Sequence, residues 1–185
     1  MKSKKLQRLA ATGIFAAASA VLSQISFTIP MTSVPFSLGI MAAFLSGALL
    51  PEYYALLSQL IFISLGAAGI PVFSQFRGGL SVIVGPTGGY ILGYLLIAFF
   101  VSLTARHFKK RLWLSLSVSM VATLFADYAL GTVWFVIQTN TSPAAALLTC
   151  VVPFIIPDMI KIFVCINFSL ALKKALEKSG LSVLN

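Results

Sequence analysis

An aspartate and a lysine lie one helical turn apart inside a long apolar segment of this 185-residue chain. Asp158 and Lys161 are flanked by the apolar runs 147–156 and 162–172. A charge at membrane depth costs roughly 3 kcal/mol on insertion scales, so a chain that keeps two of them there is expected to use them. Residues spaced i and i+3 share one face of a helix, so both side chains can enter one polar site.

These two residue types suit a ligand with two different ends. The ammonium group of Lys161 donates hydrogen bonds to a carboxylate, whereas the carboxylate of Asp158 accepts them from N–H groups. A ligand with a carboxylate at one end and an N–H-bearing head at the other would satisfy both. The alternative is an internal ion pair that holds helices together and binds no substrate.

A third charged residue lies in another apolar segment. Asp127 is followed by Tyr128, and it is the only charged residue of the predicted span 112–137. Three roles are open for it: a second group in the same ligand-binding site, an ion-pair partner of Lys161, or a protonated structural residue.

Composition sets the class of protein. Hydrophobic residues make up 59% of the chain and charged residues only 9%, against about 25% charge in a soluble domain. We expect a single integral membrane domain over residues 1–185 and an all-α fold. The apolar runs predict a bundle of six transmembrane helices, at about 9–27, 36–50, 53–66, 90–105, 112–137 and 144–172.

The basic residues give this bundle an orientation. The net charge is +9, yet eleven of the thirteen lysines and arginines lie in three clusters, before the first span, between spans four and five, and after span six. Cytoplasmic flanks collect such residues, so both termini are predicted to be cytoplasmic. Arg77 then falls on the outer side, and the clustering beside spans argues against nucleic-acid binding. The residues of the clusters are Lys2, Lys4, Lys5, Arg8, Arg106, Lys109, Lys110, Arg111, Lys173, Lys174 and Lys178.

A glycine-rich stretch, residues 66–89, separates spans three and four. It is too apolar to lie free in water and too rich in Gly and Pro to be a regular helix. Non-helical backbone at membrane depth is tolerated where it packs in protein or lines a cavity. We expect this outer loop to line a ligand-binding site, with a structural re-entrant turn as the alternative.

Aromatic residues are plentiful near these segments and are candidates to line an apolar part of the site. Interfacial belts and the protein core are their alternative locations. They are Phe73, Phe76, Tyr90, Tyr94, Phe125, Tyr128, Trp134 and Phe154.

The first span is rich in small residues, among them Ala10, Gly13 and Ala17. Small side chains at helical spacing let two helices approach closely. The surface is suited either to packing within this bundle or to docking on another membrane protein.

Several kinds of chemistry are not expected. Cys150 and Cys165, if on one helix, would be about 22 Å apart, too far for a disulfide, and with the lone His107 they make a poor metal site. The chain has no Gly-x-x-x-x-Gly-Lys-Ser/Thr sequence, so no P-loop for ATP is predicted. No nucleophile and base stand out, so we predict neither catalysis nor a cofactor.

Four groups of residues resemble the BioY family, the biotin-binding S components of energy-coupling factor (ECF) transporters. They are Pro71-Val-Phe, the pair Gly78-Gly79, Gly85-Pro-Thr-Gly-Gly-Tyr90 with Gly93, and Pro153-Phe with Asp158-x-x-Lys161. The resemblance covers nearly the whole chain, including the six-span layout and the alanine-rich first helix.

This resemblance implies roles for particular residues. Asp158 would accept hydrogen bonds from the ureido N–H groups of biotin, and Lys161 would pair with its valerate carboxylate. Gln75 falls where the family tends to carry an asparagine that contacts the ureido ring. Arg77 would replace an arginine that some members place near the Gly-Pro-Thr motif, and Tyr90 ends that motif.

The resemblance also implies partners and a location. The chain would work in a prokaryotic cell membrane with a transmembrane T component, which would dock on Ala10, Gly13 and Ala17, and with two ABC ATPases. Rival functions are an S component for another small anionic vitamin, a structural membrane protein with an internal ion pair, and a stand-alone facilitator.

Overall fold

Among the residues that the structure describes, four helical segments are long and apolar enough to cross a membrane. The computed structural model describes residues 2–28, 32, 34–108 and 111–178. Helix α1 spans Lys2–Gln24, α5 spans Gly88–His107 and α6 spans Leu112–Thr139. The fourth crossing segment, Pro143–Leu176, contains two helices, α7 at Pro143–Cys150 and α8 at Ile155–Lys178. The chain is therefore a mostly helical, multi-pass membrane protein.

The remaining elements are short. Strands β1, Ser26–Phe27, and β2, Phe36–Ser37, form an antiparallel ribbon. Helices α2, Gly39–Leu49, and α3, Glu52–Ala67, follow the ribbon. With 11 and 16 residues, both are shorter than the four long helices, so the six-span count stays a prediction.

The glycine-rich stretch is irregular, as its composition predicts. It holds a 3-10 turn, Ser74–Phe76, and the one-turn helix α4, Leu80–Ile83. Gly69 and Gly79 have φ angles of 99° and 100°, which side chains other than glycine rarely adopt. Two residues of the predicted basic cluster between spans four and five, Lys109 and Lys110, lie outside the described residues.

The predicted sixth span is not one continuous helix. Helix α7 ends at Cys150, a 3-10 turn covers Val152–Phe154, and α8 begins at Ile155. Pro153 lies in this turn, and a proline inside a helix removes one backbone hydrogen bond and clashes with the preceding turn. Pro157, by contrast, lies in the first turn of α8, where its missing N–H has no helical partner to lose.

Helix α5 lies at the centre of the bundle and packs against α2, α3 and α6, while α8 packs against α2 and α6. Its Ile97 and Val101 are fully buried in the main core with Phe44 and Leu124. A Cβ atom on Gly47 of α2 would come within 2.9 Å of Val101, so glycine allows the close approach of α2 and α5. This packing leaves the end of α5 near Gly88 free to border a cavity.

Helix α1 is held to α3 by a buried hydrogen-bond network. The side chain of Gln59, fully buried on α3, accepts a hydrogen bond from Ser19 at 3.1 Å and donates to Ser46 at 3.2 Å and to Ser58 at 3.1 Å. Interhelical polar contacts of this kind stabilise helix association in membranes. Both cysteines are free and buried, on separate helices.

Candidate ligand-binding site

A cavity of about 670 Å³, including its open mouth, lies at the end of α5 that is farther from Arg106. Its wall combines aromatic and aliphatic side chains with four charged ones, drawn from the ribbon, the glycine-rich loop and helices α2, α5, α6, α7 and α8. The lining residues are Val34, Pro35, Ser37, Ile40, Phe73, Ser74, Arg77, Val82, Thr87, Tyr90, Ile91, Tyr94, Asp127, Tyr128, Cys150, Phe154, Asp158 and Lys161.

Asp158 and Lys161 form an ion pair inside this cavity. Lys161 Nζ lies 2.7 Å from Asp158 Oδ1, and the two residues are only 6% and 4% exposed respectively. Asp158 is in the first turn of α8, where the free N–H groups of a helix favour negative charge. The predicted shared face is confirmed: both side chains point into one site.

Both members of the pair have further partners. Tyr128 of α6 donates a hydrogen bond to Asp158 Oδ2 at 2.6 Å. Lys161 donates to the backbone oxygen of Ser37 at 2.7 Å and lies 3.7 Å from the ring centroid of Phe36, a cation–π geometry. The pair thus joins α6, α8 and the β1–β2 ribbon.

This arrangement leaves capacity for a ligand. An ammonium group carries three donors and a carboxylate about four acceptor positions. Two donor directions of Lys161 are taken by Asp158 and Ser37, and two acceptor positions of Asp158 by Lys161 and Tyr128. One N–H of Lys161 and further lone pairs of Asp158 therefore remain to bind an anionic group and an N–H donor.

Asp127 and Tyr90 line the same cavity from α6 and α5. Asp127 is 2% exposed, and its Oδ1 makes no hydrogen bond to any residue that the structure describes. A Cβ atom on Gly93 would overlap that oxygen, so the carboxylate lies directly against α5. Tyr90 shares a hydrogen bond with Thr132 at 3.1 Å. Three roles were open for Asp127, and one of them was to pair with Lys161. In this structure Lys161 pairs with Asp158 instead.

The two candidates from the outer loop have different positions. Arg77 is exposed at the cavity mouth and lines it, and its Nε donates to the backbone oxygen of Ser74 at 3.4 Å. Gln75 is exposed and is not among the lining residues. The structure therefore brings together Asp158, Lys161, Asp127, Tyr90 and Arg77, and it leaves Gln75 beside the site.

The candidate aromatic residues divide into two groups. The cavity wall contains Phe73, Tyr90, Tyr94, Tyr128 and Phe154. Phe76 and Phe125 are exposed, and the indole N–H of Trp134 donates to the backbone oxygen of Gly85 at 2.9 Å. Sequence reasoning missed Ser37, because its contribution is a backbone carbonyl that any residue type would carry.

Three small residues of α1 that were predicted to form a contact surface face outward. Ala10, Gly13 and Ala17 are exposed, and nothing lies within 4 Å of where a Cβ on Gly13 would be. The buried face of α1 carries other residues, including Thr12 and Ser19. The smooth surface is therefore not used for packing within the described bundle.

Comparison with known proteins gives consistent relatives over nearly the full length. A model of the BioY family matches residues 1–178. The chain is 40% identical over 170 residues to the Biotin transporter BioY of Thermotoga maritima, which covers 91% of this chain and 97% of that protein. It is 31% identical over 180 residues to Biotin transporter BioY2 of Lactococcus lactis subsp. cremoris, covering 97% of each.

One solved structure has the same fold. It is the crystal structure of the S-component for biotin from an ECF-type ABC transporter, with a TM-score of 0.83 and 25% sequence identity, and the match covers 94% of both chains.

Proposed function

The chain belongs to the BioY family, and we propose that it is the S component that binds biotin for an ECF-type transporter. It is a transport subunit rather than an enzyme. The observation that carries this function is the buried Asp158–Lys161 pair, which Tyr128 and Ser37 hold in the wall of a cavity.

Biotin has the chemistry that this cavity offers. Asp158 accepts from the ureido N–H groups through its remaining lone pairs. Lys161 leaves Asp158, which it touches in this structure, to pair with the valerate carboxylate at the far end of the ligand. Both groups act from a buried position, where charge-assisted hydrogen bonds are strong. The aromatic wall contacts the hydrocarbon part of the ligand.

The other candidates have secondary roles. Arg77 attracts the carboxylate at the mouth, since an exposed cation there speeds the approach of an anion. Asp127 and Tyr90 contribute polar groups from α6 and α5. Gln75 contacts the ligand only after its exposed side chain turns inward.

In this proposal the chain crosses the membrane six times, and both termini lie in the cytoplasm of a prokaryotic cell. The ion pair between Arg106 and Glu52, 2.9 Å apart, joins the α2–α3 turn and the end of α5 on one side of the bundle, which supports the six-span count. The cavity then opens to the outside and captures biotin there.

Uptake requires partners. A transmembrane T component docks on the exposed surface of Ala10, Gly13 and Ala17, and two ABC ATPases supply the energy. Small residues that are exposed on a membrane helix suit such close helix contact.

Biotin binding to the purified protein in detergent tests this function. We expect saturable binding by the wild type, and a loss of at least roughly 30-fold in affinity for Asp158→Ala and for Lys161→Ala, because each leaves a buried charge unpaired. Competition with other anionic vitamins distinguishes biotin from rival ligands. Absence of saturable binding by the wild type, or wild-type affinity in both variants, would refute the proposal.

A further inference from the structure

A short hairpin from the glycine-rich loop forms part of the cavity wall. The backbones of Phe73 and Arg77 form an antiparallel pair, with N···O distances of 2.9 and 3.3 Å. The pair encloses a tip of three residues. We call residues 73–77 the outer hairpin. Phe73, Ser74 and Arg77 of this hairpin line the cavity, so its shape determines whether the wall is complete.

The tip of the outer hairpin has an unfavourable backbone conformation. Gln75 and Phe76 have φ angles of 62° and 55°, in the left-handed region that residues with a Cβ atom disfavour. Two consecutive non-glycine residues in this region persist only where surrounding contacts fix them. The hairpin therefore depends on contacts from outside itself.

Those contacts come from the end of α1. Gln24, the last residue of α1, accepts a hydrogen bond from the Phe76 N–H at 3.0 Å and donates to the backbone oxygen of Pro71 at 3.2 Å. Ser26 Oγ accepts from the Gln75 N–H at 3.0 Å. The N–H groups of both left-handed residues are thus bound by Gln24 and Ser26, neither of which is among the cavity-lining residues.

The same segment reaches the charged pair. Ser26 pairs with Ser37 in the β1–β2 ribbon, and the backbone oxygen of Ser37 accepts a hydrogen bond from Lys161 at 2.7 Å. The β1–β2 ribbon therefore connects the outer hairpin to the Asp158–Lys161 pair.

We propose that Gln24 and Ser26 are positioning residues for ligand binding, which hold the outer hairpin in the shape that completes the cavity wall. Without them the left-handed tip relaxes, Ser74 and Arg77 leave the wall, and a bound ligand escapes faster. The role rests on the proposed function for the identity of the ligand, but the hydrogen bonds that carry it do not.

Hydrogen–deuterium exchange measures the hairpin directly and needs no biotin. We expect the amide of Phe76 to exchange roughly 10-fold faster in Gln24→Ala than in the wild type, because it loses its hydrogen bond to Gln24 Oε1. Gln7→Ala, near the other end of the same helix, is the matched control and should leave this exchange unchanged. Equal exchange in Gln24→Ala and the wild type would overturn the proposal.

Release of labelled biotin measures the consequence for binding. We expect release to be roughly 10-fold faster in Gln24→Ala and several-fold faster in Ser26→Ala, with thermal stability close to that of Gln7→Ala. Ser26→Thr keeps the hydroxyl acceptor and should restore slow release. Faster exchange without faster release overturns the positioning role, whereas absence of biotin binding in the wild type overturns the proposed function and this role with it.

Discussion

Tyr128 on α6 donates a 2.6 Å hydrogen bond to the carboxylate of Asp158 on α8, on the side opposite Lys161. The carboxylate is therefore fixed by two neighbours, one through each oxygen. A hydrogen bond to a charged group is worth about 1.5–3 kcal/mol. The orientation of Asp158 is thus set by the protein, and a ligand that needs this orientation gains affinity from it.

Tyr128→Phe removes this hydrogen bond with almost no change in shape. We expect biotin affinity to fall roughly 10-fold, less than in Asp158→Ala, because the carboxylate stays but loses one restraint. Titration calorimetry measures the change. Tyr53→Phe, at an exposed tyrosine of α3, is the matched control, and equal affinities in the two variants would contradict this prediction.

Lys161→Met leaves Asp158 as an unpaired buried carboxylate. We expect a loss of about 3–5 kcal/mol in stability, seen as a lower unfolding temperature in detergent. Replacing both charges, in Asp158→Asn with Lys161→Met, should restore most of the stability without restoring biotin binding.

This pair of variants also separates ligand binding from a purely structural role. If the ion pair only held helices together, the double variant would bind biotin as well as the wild type does. A double variant as unstable as the single one would show that the two charges do not compensate each other.

Gly93→Ala should destabilise the contact between α5 and α6. The added Cβ atom would overlap Oδ1 of Asp127, and overpacking a tight site costs about 1–3 kcal/mol. Adding Asp127→Ala removes the obstructing carboxylate and should return most of the lost unfolding temperature. Gly13→Ala, where the new atom has open space, is the control; an unfolding temperature of Gly93→Ala equal to that of Gly13→Ala would refute the prediction.

Ala17→Trp tests the docking surface of α1. A large side chain at this exposed position should prevent close approach of a partner helix, while the cavity, which no residue of α1 lines, is unchanged. We expect loss of co-purification with the T component and ATPases, with wild-type biotin affinity. Ala122→Trp, exposed on α6, should still assemble; equal assembly by both variants would count against this surface.

Features that depend on neighbouring residues in the sequence could be predicted from the sequence alone. Apolar runs located the long helices, and i, i+3 spacing brought Asp158 and Lys161 to one site. The density of glycine and proline marked residues 66–89 as irregular. Each of these follows from local composition, which a sequence shows directly.

The contacts between distant segments could not be predicted in this way. Tyr128 and Asp158 are 30 residues apart, and Ser37 meets Lys161 through a backbone atom. The break between α7 and α8 depends on which of Pro153 and Pro157 falls in a first turn, and sequence does not fix that register. The exposed position of Gln75 depends on the left-handed tip, which its residue type does not favour.

The two faces of α1 differ in the physical nature of their contacts. The inner face is joined to Gln59 by directional hydrogen bonds through Ser19, whereas the outer face of small residues offers only van der Waals contact to a docked partner. The first interface resists sliding and the second does not. Docking and release of a partner would therefore break only van der Waals contacts on the outer face. The hydrogen bonds between α1 and α3, and the cavity wall that Gln24 supports, would stay in place.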